Sequence, residues 1–250
     1  MADLTSPESA SILPDLGLVL LPVGAHEQHG GNIAVSTDTV CADALCREAA
    51  AMLGPRVAVA PAVPWGISWH HLAFPGTISL RPATLIALLD DIVASLQAHG
   101  VRRILIVNGH GGNSATIAVA IEQIKQTHQI PLIAAVFGYA LLAEQGASLL
   151  QREQIGHGGA DEAAVVMAVA PDLARQESFE GPRLTGALAE TDAMLRAYGG
   201  FIARPFHEKT ENGVTGDATG ATAELGRQIL DRAARRLVDF VEVLLRESGD

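Results

Sequence analysis

Short apolar runs alternate along the chain with longer segments in which apolar positions recur at helical spacing. The runs LGLVLLPV, RVAVAPAV, RRILIVNG and PLIAAVFG predict strands, and Thr39–Leu53, Pro82–His99 and Ser114–His128 predict the helices between them. That order predicts an α/β fold of βα units, a mainly parallel sheet covered by helices on both faces. Arg81-Pro82 puts a proline at one helix start and Gly100 follows the same helix's end, as the physics of helix termini favours. A further helix is expected over Asp161–Val169, stopping before Pro171. Phe201–Thr219 reads as a strand-rich excursion with turns at Asn212-Gly213 and near Gly216. A long amphipathic helix from Ala221 to Glu247 closes the chain. Its stripe of Leu225, Ile229, Leu237, Phe240, Val241 and Leu244 is either core or oligomer interface.

At 250 residues, 48% of them hydrophobic and with no repeat or linker-like tract, the chain is expected to form a single domain over residues 1–250. A net charge of -11 argues against a nucleic-acid partner, since phosphate needs clustered Lys and Arg. The opening MADLTSPESA is polar and acidic, unlike a secretory signal, and Pro131–Ala143 is too short to span a bilayer. A cytoplasmic protein with no membrane partner is expected. Cys41 and Cys46 fall on one helix, too far apart for an unstrained disulfide, and read as reduced core residues.

The candidate chemistry lies where strands end. Ligands collect beyond the carboxyl ends of strands in open α/β sheets, and His26, His29, His70, His71, His110 and His157 all lie in predicted loops. His99 and His128 fall at helix ends, where they complement the dipole, and His207 lies in the excursion. In GAHEQHG, side chains two apart share a side, so Glu27 and His29 converge while Gln28 faces away. Asp38 opens a helix and can either cap it or turn back to that pair. VNGHGGN, residues 107–113, lacks the spacing of a dinucleotide fingerprint or a P-loop, and its glycines let the backbone close around a metal beside His110. In IGHGGADEAAVV, His157 leaves a loop and Glu162 stands in a helix's first turn. Glu27, His29, Asp38, His110 and Glu162 thus offer mixed nitrogen and oxygen ligands suited to Zn²⁺, Mn²⁺ or, with them, iron. His157 is left over. Five such ligands with one bridging carboxylate are enough for two divalent metal ions.

In order along nearly the whole chain, Gly24–Gly30, Thr37-Asp38, Phe74–Thr77, Asn108–Asn113, His157–Glu162 and Gly213–Thr222 resemble the motifs of the creatininase (creatinine amidohydrolase) family. The resemblance implies a compact α/β sandwich, commonly hexameric. It also implies one metal on Glu27, Asp38 and His110, and a second on His29, Asp38 and Glu162. Asp38 would bridge, and His157 would transfer protons. The chain departs from the family pattern at Gly31-Asn32 and at Ala160, Ala163 and Ala164, which touches the support behind the ligands and the substrate contacts. Gly112 replaces the glutamate of creatininases proper, and no tryptophan lies between His110 and His157, so creatinine is not the expected substrate. In WGISWHHLAFPGT, Trp65, Trp69, His70 and His71 form the expected substrate wall, with His71 placed like a family histidine.

The expected activity is hydrolysis of a carbon–nitrogen bond in a small cyclic or linear amide. The two ions would hold a hydroxide that attacks the carbonyl, and His157 would pass a proton to the leaving nitrogen. Two other enzyme readings stay open: a peptidase on a modified precursor peptide of mycofactocin type, and ring opening of an inosose-like substrate. A non-catalytic metal-binding assembly protein would predict a missing ligand or proton shuttle, and none is missing.

Overall fold

In the computed structural model, which describes residues 1–200 and 202–247, a short helix α1 (Ser6–Ile12) leads into a parallel sheet. Its strands are β1 (Leu18–Val23), β2 (Val57–Val59), β3 (Arg103–Asn108) and β4 (Leu132–Phe137), in the order β2-β1-β3-β4. The central strands pair Leu20 with Leu105 and Val23 with Asn108, so β1 and β3 end side by side. Every residue of β1 is buried, because helices cover both faces; this is why the strand reads as one apolar run rather than an alternation.

Alternate strand residues feed two cores. Leu18, Leu20, Leu105 and Val107 pack with α2 (Thr37–Leu53), while Val19, Leu21, Val23, Ile104 and Ile106 pack with α3 (Pro82–Ala98) and α4 (Ser114–His128). The first core is completed by α5 (Gly138–Ala147), α6 (Ala160–Val169) and α8 (Ala223–Glu247). A separate helix α7 (Ala189–Ala197) lies on the surface. Ile229, Leu230, Ala233, Ala234, Leu237 and Val241 of α8 are buried against this core, so its apolar stripe is core within one chain; Phe240 lies outside the buried face. Cys41 and Cys46 are buried and free.

Two expectations change. RVAVAPAV yields strand only over Val57–Val59, because Pro61 has no N–H for the ladder; the chain rejoins the sheet at one bridge between Val63 and Val23. The Phe201–Thr219 excursion is not strand-rich: Phe201 lies outside the described residues, and residues 202–219 hold a single 3-10 turn, Phe206–Glu208, and one isolated bridge from Thr210 to Leu184. Its backbone groups bond instead to neighbouring loops, as in Glu211 N–H to Arg183 O at 2.9 Å and Thr215 N–H to His157 O at 2.9 Å. Among the described residues no helix is long and apolar enough to cross a membrane.

Candidate active site

The segment after β1 is pinned before it reaches the site. Gly24 N–H donates to Val63 O, Glu27 N–H to Val35 O, and Gln28 N–H to the Thr77 hydroxyl, which gives the Phe74–Thr77 loop its place in the architecture. Glu27 and His29 are consequently buried side chains at the carboxyl edge of β1. Asp38 sits in the first turn of α2, His110 follows β3, and Glu162 stands in the first turn of α6. All five residues expected as metal ligands are thereby brought together.

Two imidazoles organise the cluster. His110 Nδ1 lies 3.2 Å from Glu27 Oε1 and 3.2 Å from Asp38 Oδ2. His29 Nε2 lies 3.4 Å from Asp38 Oδ1 and 3.5 Å from Glu162 Oε2. The opposite ring nitrogens are tied to carbonyls: His110 Nε2–H donates to Ile67 O at 2.9 Å, and His29 Nδ1–H to Glu27 O at 3.0 Å. A neutral imidazole anchored this way turns its lone pair toward the carboxylates, the arrangement of metal-binding histidines. Glu27 Oε2, His29 Nε2 and Asp38 Oδ2 are buried with no hydrogen-bond partner, and such atoms are costly to leave unpaired. A divalent cation satisfies them, so the donor set fits a metal. Glu27, His29 and Asp38 form one group whose ligand atoms all lie within 4.8 Å of one another, and His29, His157 and Glu162 form another.

The His157 ring centroid lies 4.2 Å from that of His29 and 4.4 Å from that of His71, tilted 34° to each, and 5.0 Å from that of Phe206 in an edge-to-face contact. Its Nδ1 lies 3.5 Å from Glu27 Oε1. His71 is buried with Nε2 3.6 Å from the same oxygen, while His70 stacks on His110 at 5.7 Å. These rings floor a cavity of about 1060 Å³ whose walls include Trp69, Tyr139, Leu142, Phe206 and Lys209. Trp65 lies outside that lining and is half exposed.

Burial raises Glu27 above the usual carboxylate range, and the Asp38 charge adds to it. Burial likewise raises Glu162 to about 8, with Asp161 and Asp38 raising it and His29 opposing. Burial works to lower His29, but the Asp38 and Glu162 carboxylates, 3.4 and 3.5 Å from its Nε2, bring it up to about 9. Asp38 is held low against burial by His110 and His29. Burial, with neighbouring imidazoles, drives His71 down to about 2, His70 to about 4 and His157 well below the ordinary histidine value. The outer imidazoles are neutral at neutral pH, whereas the metal-free inner cluster holds protons on His29 and Glu162 where a cation would otherwise sit.

Sequence reasoning missed Gln28, which does not simply face away: its amide is buried against His71, His157 and Gly213. The E-Q-H motif was the available signal. Phe206 and Lys209 were missed because the excursion carries no periodicity, and the buried Asp161 was overlooked beside Glu162.

Buried carboxylates and imidazoles gathered where parallel strands end define the class, a metal-dependent hydrolase of α/β architecture. The creatininase family model, described as creatinine amidohydrolase, matches residues 2–241, and the chain belongs to that family of metal-dependent amidohydrolases. It is 31% identical over 242 residues to the mycofactocin precursor peptide peptidase of Mycolicibacterium smegmatis, covering 95% of this chain and 88% of that one. It is 28% identical over 240 residues to the creatinine amidohydrolase of Pseudomonas putida, covering 90% and 88%. The solved structure "Creatininase Mn" superposes with a TM-score of 0.82 at 26% identity, covering 98% of each chain.

Proposed function

We propose that the protein hydrolyses a carbon–nitrogen bond in a small cyclic or linear amide at a centre for two divalent ions, zinc or manganese. Glu27, Asp38 and His110 would hold one ion and His29, Asp38 and Glu162 the other. The observation that carries this reading is the pair of anchored imidazoles, each turning a lone pair toward Asp38 and one further carboxylate. Bound ions supply Lewis-acid polarisation of the amide carbonyl and acidify water. His157 Nδ1, with Nε2–H tied to Gln28 O at 2.7 Å, accepts the proton of the attacking water. As the carbon–oxygen bond forms and the carbon–nitrogen bond breaks, the same nitrogen returns that proton to the leaving amine. Trp69, His70 and Phe206 form walls that hold the amide and exclude water.

A second reading, cleavage of a precursor peptide, is favoured by the relative from M. smegmatis and by the cavity of about 1060 Å³, larger than a small ring needs. A homo-oligomer, hexameric by family resemblance, has support in Trp65, Trp69, Leu72 and Ile78, apolar side chains exposed along one loop. The test is turnover of formamides, lactams, cyclic ureides and short peptides by Zn²⁺- and Mn²⁺-loaded protein beside Asp38→Ala. Wild type should cleave at least one class and hold about two ions per chain, while the variant loses both ions and activity. Metal content unchanged in Asp38→Ala would remove the shared-ligand assignment, and metal-loaded protein inert on the whole panel would remove the amidase reading.

A further inference from the structure

The buried amide of Gln28 is oriented without ambiguity. Its Oε1 accepts the Gly30 N–H at 2.8 Å, which makes Nε2 the donor end. Nε2 donates to Gly213 O at 2.7 Å and lies 2.7 Å from His71 Nδ1. A nitrogen that accepts a hydrogen bond carries no proton, so a neutral His71 holds its hydrogen on Nε2. His157 is set the opposite way. Its Nε2 lies 2.7 Å from the Gln28 main-chain carbonyl, which can only accept, and at a longer 3.1 Å from Gln28 Nε2, whose two hydrogens go to Gly213 O and His71 Nδ1, so the Nε2–H points to the carbonyl and the lone pair is left on Nδ1. His71 Nε2 and His157 Nδ1 approach the same Glu27 oxygen, at 3.6 and 3.5 Å, so the site presents an N–H on one side and a lone pair on the other.

We propose that Gln28 is a positioning residue that locks His71 as an Nε2–H donor to the carbonyl oxygen of the substrate, opposite the proton acceptor His157. An N–H cannot coordinate a cation, so His71 stands beside the metal centre although it falls in one ligand-like group with Glu27 and His157. Negative charge builds on the carbonyl oxygen as an amide is attacked, and a fixed neutral donor in a dry pocket stabilises it without reorganising. The His71 ring has little freedom, lying 4.0 Å from the Phe206 ring and 4.4 Å from His157. Gly213 belongs to the same device: its φ is +83°, and a Cβ there would fall on the Gln28 amide.

The donor role rests on the amidase reading, whereas the tautomer can be measured without it. In Zn²⁺-loaded protein labelled with ¹⁵N-histidine, the nitrogen shifts of His71 should report a protonated Nε2 and a bare Nδ1. Gln28→Glu puts an acceptor against Nδ1, so His71 should switch to the Nδ1–H form while kcat falls about 10²-fold and KM moves little. His71→Gln, which keeps an N–H, should retain more turnover than His71→Leu. A wild-type His71 protonated at Nδ1 overturns the proposal even if the variants fold poorly. A switched tautomer with unchanged kcat overturns the donor role. A correct tautomer in a protein that cleaves no amide leaves the positioning intact and overturns the amidase reading together with the donor role.

Discussion

His29 and His157 lie with ring centroids 4.2 Å apart, yet their free nitrogens meet different neighbours. His29 Nε2 is a partnerless buried atom facing Asp38 and Glu162, whereas His157 Nδ1 lies 3.5 Å from Glu27 Oε1 and its ring lines the cavity. The first environment suits a ligand and the second a proton carrier. His157→Ala should therefore keep its metal and fold while turnover falls by about 10²- to 10⁴-fold. His29→Ala should lose metal occupancy, with excess metal restoring part of the activity by mass action. Elemental analysis alongside turnover separates the two, and metal loss in His157→Ala would make that residue a ligand. The ligand-type residues were legible because each follows a strand or opens a helix in a glycine-rich loop. Gln28 was not, because period-two reasoning tells which way a side chain leaves the backbone but not what has folded over it from Gly213, in a distant part of the chain.

At the scale of elements, the helices Ser114–His128 and Pro82–Ala98 follow the sequence closely because their termini are marked by proline, glycine and the change of apolar period. The loops from 202 to 219 could not be read that way, since their order comes from bonds to distant segments such as Arg183, His157 and Glu153. The crossing of α6 and α8 is also set by tertiary contact. Gly226 faces the Ala164 backbone so closely that a Cβ would collide with that carbonyl group. In an exposed helix Gly→Ala stabilises by about 1 kcal/mol. Here Gly226→Ala should destabilise by about 1–3 kcal/mol, because the two helices must part to admit the methyl group. Urea unfolding reads the sign directly, and a midpoint at or above wild type would mean the crossing has room to spare.

For the molecule as a whole, the buried cluster ties stability to pH and to metal. Glu162 is raised from an ordinary value of 4.5 to about 8, by burial first and then by Asp161 and Asp38. His29 is raised from 6.5 to about 9, since Asp38 and Glu162 outweigh its burial. Both groups bind more protons folded than unfolded between their ordinary and raised values, so the metal-free fold loses stability as pH rises across that interval. For His29 the contribution is complete below pH 6.5 and gone above about 9; for Glu162 the loss runs from about 4.5 to 8. Asp38 is shifted the other way, by His110 and His29 against burial, and its effect is confined to acid below its ordinary 3.8. A divalent cation occupies the atoms the protons would take, so loading releases protons and metal affinity climbs with pH. Thermal melting of chelator-treated and Zn²⁺-loaded protein between about pH 7 and 9, above the range in which the lowered His70, His71 and His157 add stability as pH rises, should show the metal-free Tm falling and the gap to the loaded form widening. A gap that stays constant over that range would mean that protons and metal do not compete for Glu162 and His29.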